Sequence, residues 1–388
     1  MDVNQSEKFP RPFLLERYFA EHEFTTAPHM LCASDCESLP MAQLVSMMKP
    51  DTRELWDNLA LGYTESQGHP KLRHAVAEMY EHDAITPEKV QILAPAEGIY
   101  VALRSLLKAG DRVVCTWPGY QSLSEVALAQ GAHVDRWEVE EGDAGFYFDV
   151  DKLEQLLQSG PCRGVIVNFP HNPTGALPSH DQWERIIRLV SQHDAFLFSD
   201  EMYRGLEYDS GDCLASACTV YKQAISLSGM SKVYGMPGLR IGWLVSQNTD
   251  MLGSCAAYRD YCTICASAPA EVLSLAGLEN SAKLLAQSKA RVLKTIEAIE
   301  EMLSHPEASA HFTFHRPKAG PISLIGLRGK QCGKAYCKRL VEQSGVLLLP
   351  SHLLEWKEHY MRIGFGRDSG PAVVRRWYEA VKGGLVPE

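Results

Sequence analysis

Six short apolar runs, at 90–93, 113–115, 165–167, 195–198, 224–227 and 241–245, alternate with longer stretches of helical spacing such as 99–107 and 182–193. A run that is apolar at every position needs cover on both faces, and the intervening helices supply it. The pattern therefore predicts an α/β domain built on a mostly parallel sheet between two layers of helices. Ligands in such sheets bind beyond the carboxyl ends of the strands, so the loops after these runs are where chemistry is expected.

At 388 residues the chain exceeds what one hydrophobic core usually serves, which points to a large domain with a smaller companion. A formal charge of -10 and the lack of any basic run argue against a nucleic-acid partner, because binding to phosphate backbones rests on clustered Lys and Arg. No stretch has the length and apolarity of a signal peptide or a membrane span, so a soluble cytoplasmic protein is expected. Eleven cysteines without a secretory signal read as reduced thiols. Cys262 and Cys265 form a CxxC, but no second pair at ligand spacing accompanies them, and no metal site is expected.

The most informative stretch is ISLSGMSKVYGMPGLRIGWLV, residues 225–245, where an apolar run delivers Lys232 into a glycine-punctuated turn with Arg240 eight residues on. A lysine just past a buried strand loses hydration, which lowers its pKa towards the range where the neutral amine attacks a carbonyl. Ser231-Lys232, Tyr234, Gly235 and the run 237–243 resemble the lysine segment of the class I/II aminotransferases, pyridoxal-phosphate (PLP) enzymes of fold type I. Pro-x-Asn-Pro-Thr-Gly at 170–175 is a second fingerprint of that family. The resemblance runs from about Tyr63 to Phe365.

The resemblance implies a role for each of these residues. Lys232 joins the cofactor covalently and moves the substrate's α-proton, and Arg240 grips the phosphate. Tyr120 stacks on the pyridine ring, with Trp117 as second choice, and Asn172 and Tyr203 donate to the phenolic oxygen. Asp200 faces the ring nitrogen and keeps it protonated, so that the ring can accept electrons. The helix after the first strand run offers the amides of Ala96 and Glu97 to the phosphate, because Pro95 has none to give. Gly229 stands where many members have Ser or Thr as a phosphate ligand, leaving Ser231 or Ser228 to substitute. Tyr63 crosses to a neighbouring subunit's phosphate, which implies a homodimer with shared sites. Arg362, in HYMRIGF, binds the substrate α-carboxylate, for which a planar two-point donor is suited.

The expected organisation is an N-terminal segment (1–50) joining the small domain and covering the active site, a large PLP-binding domain (51–265), and a long linking helix with an α+β small domain (266–388). Apolar spacing across 272–303 predicts one continuous helix, and 345–350 reads as a strand. Glu16, Asp35 and Glu37 fall in the covering segment with no evident partner of opposite sign; two readings stand open, solvated helix caps, or acids that draw a cationic substrate with Glu16 and Asp35 as binding residues. An aminotransferase making a 2-oxo acid is the main functional expectation. A cyclodehydratase or β,γ-eliminating enzyme on a hydroxylated basic amino acid, as in the capreomycidine synthase-like branch, is the alternative, because PFLLERYF, NFPHNPTGA and RDYCTI resemble that branch. A PLP-binding regulator without turnover is the third reading.

Overall fold

The computed structural model describes residues 10–23 and 28–387. Its centre is a seven-stranded sheet in the spatial order Val90–Leu93, Gly242–Val245, Ala224–Gly229, Phe196–Asp200, Gly164–Asn168, Arg112–Trp117 and His133–Glu138. Six of these strands share one direction, while Gly242–Val245 runs antiparallel to both its neighbours. The strands Val90–Leu93, Gly164–Asn168, Phe196–Asp200, Ala224–Gly229 and Gly242–Val245 are buried at every position, as expected for runs covered on both faces. The edge strand His133–Glu138 has only Trp137 fully buried, so it carries no apolar run by which the sequence would reveal it.

A four-stranded sheet, ordered Phe312–Phe314, Ile322–Leu327, Tyr360–Gly364 and Leu349–Pro350, forms the second centre. The expected 345–350 strand is instead two short pieces, Val346–Leu347 and Leu349–Pro350. Val346–Leu347 leaves the four-stranded sheet to pair with the N-terminal His29–Met30. Arg362 sits at the middle of its strand, opposite Leu324 and Leu349.

The continuous helix expected across 272–303 is two helices, Ala268–Leu278 and Ser281–Ser304. The break is held by polar contacts that period counting does not register: Thr52 Oγ1 donates to Glu279 Oε1 at 2.8 Å, and Asn280 Nδ2 donates to Met47 O and Ala276 O. Apolar residues on both sides keep one spacing, while the chain between them changes course. Among the described residues no helix is long and apolar enough to cross a membrane.

Candidate active site

A cavity of about 370 Å³ opens where the carboxyl ends of the central strands meet the Tyr360–Gly364 strand and the helix Leu14–His22. Lys232, three residues beyond the Ala224–Gly229 strand, reaches into it and donates from Nζ to Ser34 Oγ at 3.0 Å. Burial draws the Lys232 ammonium below its usual value, partly opposed by Asp35, Glu16 and Asp200.

Asp200, the last residue of its strand, forms part of the floor and is buried. Burial raises its carboxyl to about 7, against the single backbone bond it accepts from Met202 N at 3.1 Å. The neighbouring strand end is tied to it, because Asn168 Nδ2 donates to Asp200 O at 2.9 Å and Asn168 Oδ1 accepts from Asn172 N at 2.7 Å. His171, fully buried, spans from Thr174 Oγ1 to Pro118 O at 2.7 Å each, which couples the Asn172 loop to the Tyr120 loop. Burial lowers its pKa to about 3, so it bonds as a neutral ring.

Arg362 is fully buried and lines the same cavity. Its Nη1 donates to Asn172 Oδ1 at 3.3 Å and its Nη2 to Cys32 O at 2.9 Å, while Nε has no partner among the described residues. A buried guanidinium with an idle donor is costly unless an anion completes it, and a carboxylate has the matching geometry.

The cavity therefore gathers Lys232, Ala96, Tyr120, Asn172, Asp200, Tyr203, Ser231, Arg240, Arg362, Glu16 and Asp35. Two of the expected phosphate and cofactor residues lie outside its lining. Glu97 turns its side chain to Thr263 Oγ1 at 2.6 Å and to Ala94 N at 3.4 Å, so it caps its own helix. Tyr63 is 89 % exposed and belongs to no wall of its own chain's cavity. Trp117 is buried under the Arg136 guanidinium, 3.8 Å from its ring centre, whereas Tyr120 faces the cavity with Phe13 at 5.0 Å.

Gly229 has a steric cause. A Cβ there would lie 2.8 Å from Gly242 Cα and 3.0 Å from Pro95 Cγ, so the proline that starts the Pro95–Leu106 helix fills the space a Ser or Thr would need. Ser231 lines the cavity and Ser228 does not. Arg240 holds a left-handed backbone at φ 55, unusual for a side chain of its size, lines the cavity, and donates from Nη1 to Pro237 O at 3.1 Å.

Of the three N-terminal acids, Asp35 has a partner of opposite sign, Glu37 has a backbone donor, and Glu16 has neither among the described residues. Asp35 is met by Arg367 Nη2 at 3.0 and 3.1 Å, and Glu37 Oε2 accepts from Asp368 N at 3.0 Å. Arg367 lies 332 residues away, so spacing held no sign of the pair. Glu23, which sequence reasoning passed over, also lines the cavity, and its carboxyl is raised by burial first and then by Asp35 and Glu16. Cys262 is exposed and Cys265 half-buried, and among the described residues no three His, Cys, Asp or Glu side chains are grouped to hold a metal.

The family described as aminotransferase class I and II matches residues 31–371. This chain belongs to that family. Among its relatives, capreomycidine synthase of Streptomyces vinaceus is 30% identical over 91% of this chain and 87% of its own. Aspartate aminotransferase of Thermotoga maritima is 26% identical over 82% of this chain and 81% of its own. The crystal structure of a PLP-dependent aminotransferase from Streptococcus suis superposes with a TM-score of 0.87 at 25% identity, covering 97% of each chain. The fold is thus fold type I, and the chain is an enzyme of the PLP-dependent kind, acting on an amino acid. Its family and solved relatives imply pyridoxal phosphate, and the donor set fits: a buried carboxyl short of partners, Ser231, Arg240 and a lysine share one cavity.

Proposed function

We propose that this enzyme transaminates an L-amino acid with a positively charged side chain, as one half of a homodimer. The observation that carries the reading is the idle Nε of Arg362, buried in the cavity that also holds the Lys232 amine. Arg362 takes the substrate α-carboxylate, which brings the α-carbon towards Lys232. Lys232 Nζ, its charged form disfavoured by burial, accepts the α-proton. Asp200 would face the ring nitrogen, Tyr120 the ring face, Asn172 and Tyr203 the phenolic oxygen, and the Ala96 amide, Ser231 and Arg240 the phosphate. When bound, the cofactor supplies the electron sink for the pair left at the α-carbon.

The side-chain preference rests on the mouth. Glu16, Glu23 and Asp35 line it, and Arg367 forms its ion pair with Asp35. The Glu16 and Glu23 carboxylates make no hydrogen bond or ion pair with any described residue, so a substrate cation would find them available. The dimer reading is supported by Leu61, Tyr63 and Tyr261, at 86, 89 and 94 % exposure, on two loops joined through the bond from Arg259 Nη1 to Ser66 O. Such a set of bare apolar and aromatic side chains suits an interface.

Cyclisation or elimination is the second reading, favoured by the relative from Streptomyces vinaceus. One experiment separates them. The cofactor-loaded enzyme is mixed with single amino acids and no oxo acid while its spectrum and products are followed. Stoichiometric conversion to the amino form of the cofactor supports transamination, and catalytic release of a cyclised or dehydrated product supports the second reading. Arginine and lysine should react far better than aspartate and glutamate, and Glu23→Gln should lower kcat/KM for the basic pair alone, by about 5- to 150-fold for a lost charge pair of about 1–3 kcal/mol. Equal turnover of basic and acidic amino acids would remove the charge preference.

A further inference from the structure

The Lys232 amine has one side-chain hydrogen-bond partner among the described residues, Ser34 Oγ, and Ser34 comes from a loop with no place in the lysine segment. That loop is fastened from two directions. Cys36 N donates to Lys232 O at 3.0 Å and Leu39 N to Gly235 O at 2.9 Å, which binds it to the lysine turn. Gly364 N donates to Leu31 O at 2.9 Å and Glu37 N to Gly366 O at 2.7 Å, which binds it to the arginine strand and its continuation. The approach is so close that a Cβ on Gly235 would lie 2.2 Å from Glu37 O, and one on Gly364 2.1 Å from Ala33 O. Asp35, beside Ser34, is clamped by Arg367, and Cys32 O accepts from Arg362.

A hydroxyl held this firmly against a catalytic amine does more than fill space. We infer that Ser34 is a positioning residue for Lys232: its hydroxyl oxygen takes one N–H of the amine and so fixes where Nζ points when the lysine is free of the cofactor. The inference rests on the reading of Lys232 as the proton-moving lysine.

The physical consequence is twofold. Tying one N–H to Ser34 restricts rotation about the last side-chain bond, so Nζ keeps a constant relation to the α-carbon that Arg362 positions from the other wall. Burial and then Arg362 lower the Lys232 ammonium, against Asp35, Glu16 and Asp200, and the bond to Ser34 adds to the opposing side because the oxygen accepts from N–H. Burial raises the Tyr203 phenol, and Arg362 and then Ser34, in the sense of a donor, oppose that rise. A hydroxyl accepts from Lys232 and donates towards Tyr203 at once, whereas a methyl group does neither.

The test compares Ser34→Ala, Ser34→Thr and wild type. In the apo protein, the rate of acylation of Lys232 is followed against pH by peptide mass spectrometry, a measurement that needs neither cofactor nor turnover. Ser34→Ala should lower the midpoint for Lys232 by about half to one pH unit, and Ser34→Thr, which keeps the hydroxyl, should restore it. In the loaded enzyme Ser34→Ala should lower kcat by about 10- to 100-fold with KM for the amino acid changed less than about threefold, since the Arg362 contact is untouched. An unchanged acylation midpoint in a folded Ser34→Ala, or a Ser34→Thr that fails to restore it, overturns the proposal. Loss of Lys232 as the labelled, cofactor-bearing residue after borohydride reduction of the wild type would instead remove the reading on which it rests.

Discussion

Asp200 offers the sharpest physical test, because the charge that would serve the cofactor is a burden to the apo protein. Its carboxyl is 5 % exposed and accepts one backbone bond, and burial raises it from 3.8 to about 7. At roughly 1.4 kcal/mol per pH unit, this displacement is worth about 4 kcal/mol between the protonated and ionised extremes. The folded chain holds the proton more tightly than the unfolded chain, so apo stability is greatest below about pH 4 for this group and is lost as pH rises to about 7. Between pH 5 and pH 8 the loss from Asp200 comes to about 3 kcal/mol. Glu207 and Glu271 are raised in the same direction and titrate in either protein, so the informative quantity is the difference between Asp200→Asn and wild type. Urea unfolding of both apo proteins at several pH values should show the Asp200→Asn variant gaining on the wild type by about 3 kcal/mol from pH 5 to pH 8, while the loaded variant loses most of its activity. Parallel stability curves for the two proteins would refute the account of Asp200 as a carboxylate held in an unfavourable site for the cofactor's sake.

Arg362→Ala should raise KM for the amino acid by about 10- to 100-fold or more, while Arg362→Lys recovers little, because one ammonium does not reproduce a two-point contact; steady-state kinetics decides, and an unchanged KM would place the α-carboxylate elsewhere. Mixing an inactive Tyr63 variant with an inactive Lys232→Ala variant should restore one of the two sites in each hybrid dimer. Failure to restore activity, with subunit exchange verified, would confine Tyr63 to its own subunit. Gly364→Ala should lower the unfolding midpoint and slow turnover together, since its Cβ would strike Ala33 O and shift the loop that carries Ser34; thermal unfolding alongside kinetics would show it, and a fully active, equally stable variant would contradict the packing.

The buried strands were legible from residues alone, and the motif loops from their resemblance to a family, because both are local signals. A strand covered on two faces must be apolar throughout, and Lys232, Asn172 and Asp200 lie at or just past the ends of such strands, so a place in sequence was a place at the sheet's carboxyl edge. Strand direction carries no such mark, which is why the antiparallel course of Gly242–Val245 emerged only from its pairing. Nor does apolar spacing record a bend, so the two helices on either side of Glu279 read as one until Thr52 and Met47 were seen to hold the break. Charge at the cavity mouth was decided at longest range. Asp35 and Arg367 are 332 residues apart, and Ser34 and Lys232 198, so whether an acid is answered or an amine is held depends on which distant loop the packing brings beside it. Composition and period determine what a segment must bury; partners across the fold determine the protonation and aim of what is left in the cavity.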